Sequence, residues 1–251
     1  SLKMVLSYRA NFSHDALMTK TETRYSATAM LLHWAIALLL VANFALGERS
    51  EDLAKGPELA WVMQLHKSIG ITILVLTLWR LGLRLVTPRP AKVADSPLLQ
   101  FASKAVHWGF YAIMLIVPLS GWLVISTSKT PTPLFVFDLV PWPLLPNFGR
   151  EVHEIGEEVH AILAKSMIPL LALHLIGAVR HQFFMRDGLM ERMVPVKRVS
   201  VFGFALLVAS LVLAFVAATS WPAPGAVAAG EALPDFKAAQ ATMPVLVPAA
   251  S

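Results

Sequence analysis

Five long apolar stretches, separated by short polar segments, set the plan of this chain. The first runs from about Ala29 to Leu46, the second from about Leu59 to Leu85 and the third from about Phe101 to Ile125. A fourth apolar window, Val159 to Val179, lies inside a longer stretch, Glu151 to Arg186, and a fifth runs from Val201 to Thr219. A hydrocarbon core of ~30 Å is crossed by about 20 residues of helix. Such a segment must satisfy its own backbone polar groups, which a helix does. The pattern therefore predicts an all-α protein: a transmembrane four-helix bundle followed by a fifth, C-terminal transmembrane helix.

Composition agrees. Of 251 residues 56% are hydrophobic and only 15% charged, against about 25% charged in a soluble domain. Residues 1–24 are polar and lack the apolar core of a signal peptide; they read as an N-terminal cytoplasmic segment, with Met18 a candidate natural start. Residues 25–196 form the four-helix domain and 197–219 the fifth helix. Residues 220–251, rich in Ala, Pro and Val, read as an extracytoplasmic linker or disordered tail. No repeat of 20–50 residues is present.

Charge sets the orientation. Residues 1–28, 80–104 and 180–200 together hold fourteen Lys and Arg, while 47–60, 127–158 and the tail hold five. The positive-inside rule places the N-terminus in the cytoplasm and the tail in the periplasm of a bacterial inner membrane. The net charge of +5 follows from this asymmetry and does not call for a nucleic-acid partner.

Histidine is the chemistry the chain offers. There is no cysteine, which excludes disulfides, iron–sulfur clusters and thiolate ligation within the chain. His153, His160, His174 and His181 follow one another by seven, fourteen and seven residues, so on a helix they share one stripe. An imidazole within a membrane span is costly and usually functional. Depth decides which imidazoles meet. His33 and His174 lie toward the cytoplasmic ends of their spans, and His66 and His160 toward the outer side. Two histidine pairs result, His33 with His174 and His66 with His160, each bridging two helices. Two opposed imidazoles are the axial ligand set of a b-type haem. A hydrogen-bonded packing role is the plainer alternative for any one of them. His107 has a depth that also suits the inner site and reads as a packing or propionate-facing residue. His153 and His181 fall at the membrane edges, within reach of water.

These residues sit in a recognisable order. Tyr25-Ser26, Leu32-His33-Trp34, His66-Lys67-Ser68-Ile69-Gly70 and Arg80 are followed by His107-x-x-x-Tyr111 and Pro118-Leu119-Ser120-Gly121. His160, His174, His181-Gln182-Phe183-Phe184, Asp187, Leu189, Arg192-Met193 and Pro195 complete the set. Across residues 25–196 the chain resembles the bacterial cytochrome b561 family. The resemblance implies a four-helix bundle with two b haems, ligated by the residues matching His33, His66, His160 and His174. It implies electron transfer between membrane quinone, ubiquinone or another, and a second redox partner, an extracytoplasmic protein or superoxide. One activity in the family oxidises superoxide with quinone as acceptor. Other members serve as haem-bearing anchor subunits of a larger dehydrogenase or hydrogenase. A histidine-lined metal or proton transporter is the remaining reading of the spans.

The chain departs from the family pattern in its fifth span and tail. Its outer surface before His160 is acidic (Glu151, Glu154, Glu157, Glu158) and would give an anion little steering. Lys67 is the candidate for attracting an anion or a haem propionate, or else it snorkels to the interface. The outer loop Thr130 to Phe148, with five prolines and four aromatic residues, is expected to lie on the membrane surface as an anchor, or else to cover the outer haem or border a quinone pocket.

Overall fold

The computed structural model describes residues 24–87, 95–130, 133–194 and 201–220. The expectations for residues 1–23 and 221–251 lie outside the described residues. Each predicted span is a helix: α1 Ala27–Asp52, α2 Pro57–Val86, α3 Pro97–Ser126, α4 Arg150–Val179 and α5 Val201–Ser220. The starts follow local chemistry. Ser26 caps α1 by accepting from Ala29 N–H at 3.2 Å, and Ser96 caps α3 through Leu99 N–H at 3.4 Å. Pro57 and Pro97 open α2 and α3, where the absent N–H costs nothing. Helix α4 runs on into a π turn, Arg180–Met185.

The first four helices are each long and apolar enough to cross a membrane. They pack in chain order, α1 on α2, α2 on α3 and α3 on α4, and α5 lies along α1. The C-terminal end of α5 sits beside that of α1, where Arg49 donates to Ala218 O at 3.4 Å. The core gathers mostly on the α1–α3 side, around Ile36, Leu46, Val62, Ile69, Ile73, Tyr111 and Met114. Helix α4, by contrast, buries only Gly156, tight against Val124 of α3.

The outer loop carries structure of its own. Residues Leu134–Val136 (β1) and Val140–Trp142 (β2) form an antiparallel hairpin with Leu134 opposite Trp142. Its tip places Phe137 and Asp138 at φ of 52° and 58°, a conformation unfavourable for a bulky side chain. Helix α2 holds it there: Ser68 Oγ accepts from Phe137 N–H at 2.9 Å, and Gln64 Nε2 donates to Phe135 O at 2.6 Å. Leu134 is fully buried. On the inner side the segment after the π turn docks on the start of α1. Trp34 Nε1 donates to Met193 O at 2.8 Å and Tyr25 N–H to Arg192 O at 3.2 Å, while Arg24 reaches Glu191 O and Val194 O. Arg180 pairs with Asp95, just before α3, at 2.8 Å.

Candidate functional site

Helix α4 carries two imidazoles that each meet one from the α1–α2 side. The His66 and His160 ring centroids are 6.1 Å apart with planes at 71°, and those of His33 and His174 are 6.1 Å apart at 63°. Two imidazoles on opposite sides of one metal have ring centres ~6 Å apart, from two bonds of ~2 Å and about 1.1 Å from each nitrogen to its ring centre. Both spacings match that figure. The fourteen residues between His160 and His174 put the two pairs ~21 Å apart along α4.

The outer pair is held by one device used twice. His66 Nδ1 lies 3.0 Å from Asn43 O of α1, and His160 Nδ1 lies 2.9 Å from Val117 O of α3. A carbonyl only accepts, so in both rings Nδ1 carries the proton and Nε2 keeps its lone pair, the tautomer a metal takes. Each carbonyl is followed four residues later by a glycine, Gly47 and Gly121, one turn along the same face. A Cβ at Gly121 would stand 2.9 Å from His160 Cε1 and 3.1 Å from Nδ1; at Gly47 it would stand 3.4 Å from His66 Cε1. The Ser120 hydroxyl donates to Val117 O at 2.8 Å and accepts from His160 Nδ1 at 3.3 Å. Sequence reasoning quoted Ser120-Gly121 as a motif without this role and passed over Gly47.

His107 stands beside the inner pair, its ring centroid 5.4 Å from that of His174, with Phe110 at 5.5 Å. Its Nδ1–H goes to Ser103 O at 2.6 Å. Cations flank this end: Arg80 donates to Ala29 O at 2.8 Å, and the Arg84 guanidinium covers Trp108 and Tyr111 at 5.4 and 5.3 Å. His153 and His181 face no second imidazole among the described residues. His153 bonds Val124 O and Thr127 and meets Glu157; His181 Nδ1 pairs with Asp187 at 2.6 Å, with Asp95 3.9 Å from Nε2. Hydrogen bonds donated by Arg180 and by the Ser96 N–H hold the Asp95 carboxyl below the usual carboxylate range.

A cavity of about 330 Å³ lies among α1–α4 at the outer pair. Its lining is mostly apolar and includes His66, His160, Gly70, Gly121, Trp122 and Leu134, with Lys67 and Glu157 as further ionisable groups. Asn43 also lines it, and its buried Oδ1 has no partner among the described residues. Two opposed neutral imidazoles across an apolar space suit a flat macrocycle with axial ligands. They do not suit a bare cation, and among the described residues no three His, Cys, Asp or Glu come together to hold one.

A family model described as prokaryotic cytochrome b561 matches residues 24–196. The chain is 30% identical to "Cytochrome b561 homolog 2" of Escherichia coli K12 over 183 residues, covering 70% of this chain and 93% of that protein. It is 26% identical to "Probable superoxide oxidase CybB" of Yersinia pestis over 176 residues, 70% and 98% of the two chains. It is 32% identical to "Cytochrome b562" of Cereibacter sphaeroides over 178 residues, 68% and 96%. Helix α5 lies beyond the family match.

Proposed function

The chain belongs to the prokaryotic cytochrome b561 family and is a multi-pass membrane cytochrome of b-type haem electron transfer; on that premise we propose that it carries two haems and exchanges electrons with membrane quinone. His66 and His160 would hold the outer haem, and His33 and His174 the inner. The observation that carries this reading is the pair of 6.1 Å imidazole spacings, both on α4 and fourteen residues apart. The domain limits set out above, a bacterial inner membrane and a cytoplasmic N-terminus belong to the same reading, the orientation supported by the charge asymmetry.

When bound, each haem iron supplies a reversible one-electron couple. The polypeptide does the rest by placement. Asn43 O and Val117 O keep Nδ1 protonated and leave the Nε2 lone pairs of His66 and His160 available to a metal. The apolar lining limits water at the outer site. Lys67 and, at the inner site, Arg80 supply positive charge for propionates. The buried hairpin residue Leu134 closes part of the outer end. Stacking the two sites along one helix gives electrons a route between leaflets.

Superoxide, the substrate in the name of the Y. pestis relative, is the specific electron donor we propose, with quinone as acceptor. The acidic rim from Glu151 to Glu158 opposes electrostatic steering of an anion, so its on-rate is expected to rise with salt. The deciding experiment is a reduced-minus-oxidised optical spectrum with a haem-to-protein ratio. Two low-spin haems per chain are expected; one haem, or high-spin centres, would overturn the assignment.

A further inference from the structure

His153 repeats, seven residues earlier on α4, the bonding of His160. Its Nδ1 lies 3.1 Å from both Val124 O and Thr127 Oγ1, and the Thr127 hydroxyl is itself committed to Leu123 O at 2.8 Å. Val124 in turn lies seven residues after Val117, so the antiparallel helices keep one register over both contacts. As at His160, Nδ1 carries the proton and Nε2 has the lone pair. Here Nε2 meets no imidazole. It faces Glu157 Oε1 at 3.3 Å. Two lone pairs at that distance repel, so the contact is attractive only with a proton between them. Glu157 also lines the outer cavity with His160. A half-buried imidazole, a carboxylate and the cavity thus form one line from the outer rim inward.

Resting on the reading that this chain exchanges electrons with quinone, we propose that Glu157 and His153 are the proton-exchange pair for a hydroquinone at the mouth of the outer cavity. The lining toward the outer ends of the helices, including Trp122 and Ile125, suits the apolar faces of an aromatic ring. Reduction of the quinone forms two O–H bonds at its carbonyl oxygens and takes two electrons, which bound b-type haem would relay one at a time from two superoxide ions, leaving two molecules of dioxygen. Each proton enters from outer water, crosses His153 Nε2 to Glu157 Oε1 and is given to a quinone oxygen; oxidation of the hydroquinone runs the same transfers in reverse, the protons leaving by Glu157 and His153. The charged groups around the pair are the Arg150–Glu154 ion pair on α4, Lys129 beyond the end of α3 near Glu154, and, from α2, Lys67 facing Asp138 of the hairpin.

The test uses the haem-loaded full chain, with Glu157→Gln and His153→Gln. Stopped-flow mixing with decylubiquinol should show haem reduction slowed by ~100-fold in each. Glu157→Asp should recover part of the rate. Hexaammineruthenium(II), which gives an electron without a proton, should reduce all of these proteins at the wild-type rate. Independently of turnover, the reduced-minus-oxidised infrared spectrum should contain a protonated-carboxyl band that Glu157→Gln lacks. If His153→Gln fails to retain haem, Glu157→Gln alone decides. Wild-type protein that quinol does not reduce would remove the quinone reading and this inference with it. Wild-type protein that quinol reduces, with Glu157→Gln equally fast and the infrared band unchanged, would overturn the inference alone.

Discussion

Replacing Gly121 with Ala tests the structural account of the outer site at a single methyl group. The added Cβ would stand 2.9 Å from His160 Cε1 and 3.1 Å from Nδ1, closer than carbon and nitrogen pack. Neither side can yield cheaply, because Gly121 is inside α3 and the imidazole is tied to Val117 O. Overpacking of this kind costs ~1–3 kcal/mol, and a displaced imidazole also loses a hydrogen bond worth about 1 kcal/mol. A total of ~2–4 kcal/mol corresponds to roughly 30- to 1000-fold in haem affinity at the outer site. The assay is haem content and thermal stability of the purified protein in detergent. Two controls isolate the contact. At Gly47 the new Cβ would lie 3.4 Å from His66, so Gly47→Ala is expected to weaken the outer site less. At Gly82 nothing lies within 4 Å, and Gly82→Ala should be neutral or stabilise by up to ~1 kcal/mol through helix propensity. If Gly121→Ala kept its haem and melted with Gly82→Ala, the proposed role of glycine at the outer pair would be wrong.

Further expectations follow from particular contacts. His174→Ala should remove the inner haem and spare much of the outer, and His160→Ala the reverse; a spectrum with both haems intact in either variant would break the pairing. Ser68, fully buried and bonded to Phe135 O and Phe137 N–H, holds the hairpin, so Ser68→Ala should cost ~1–3 kcal/mol and speed proteolysis within residues 134–142. Unchanged cleavage would show that the hairpin is held elsewhere. The Asp95 carboxyl, lowered by Arg180 and Ser96 N–H, contributes stability that is fully present above the usual carboxylate pKa of ~4 and lost as pH falls through its lower folded value. Thermal unfolding followed down the acid limb should therefore be flatter in Asp95→Asn, and an identical limb would remove Asp95 from the account.

Much of the fold was legible because the bilayer leaves few choices. Spans near Ala29–Leu46 and Phe101–Ile125 had to be helices, and helices of fixed rise convert residue number into depth. That is why His33 could be matched with His174, and His66 with His160, before any coordinate. Depth says nothing about rotation about the helix axis. His107 shares the depth of the inner pair, and only the packing shows its ring centroid 5.4 Å from that of His174, against 6.1 Å for His33. The hairpin was illegible for a different reason. Its strands are three residues each, β2 contains Pro141, and its left-handed tip uses Phe137 and Asp138 instead of the glycine that would mark such a turn.

The sequence by itself determined the membrane class, the four long spans of the bundle, and which histidines stand at one height, since each depends only on hydropathy and on 1.5 Å per residue. The tertiary structure decided everything that depends on two helices facing each other. The carbonyl that fixes each outer imidazole belongs to a neighbouring helix, and the glycine that admits the ring lies one turn beyond it. His153 read as an edge residue open to water until α3 brought Val124 O to its Nδ1, which turned its Nε2 toward Glu157. Such contacts are set by the azimuth and register of packed helices, and these arise from the sum of side-chain shapes along both faces rather than from any local pattern.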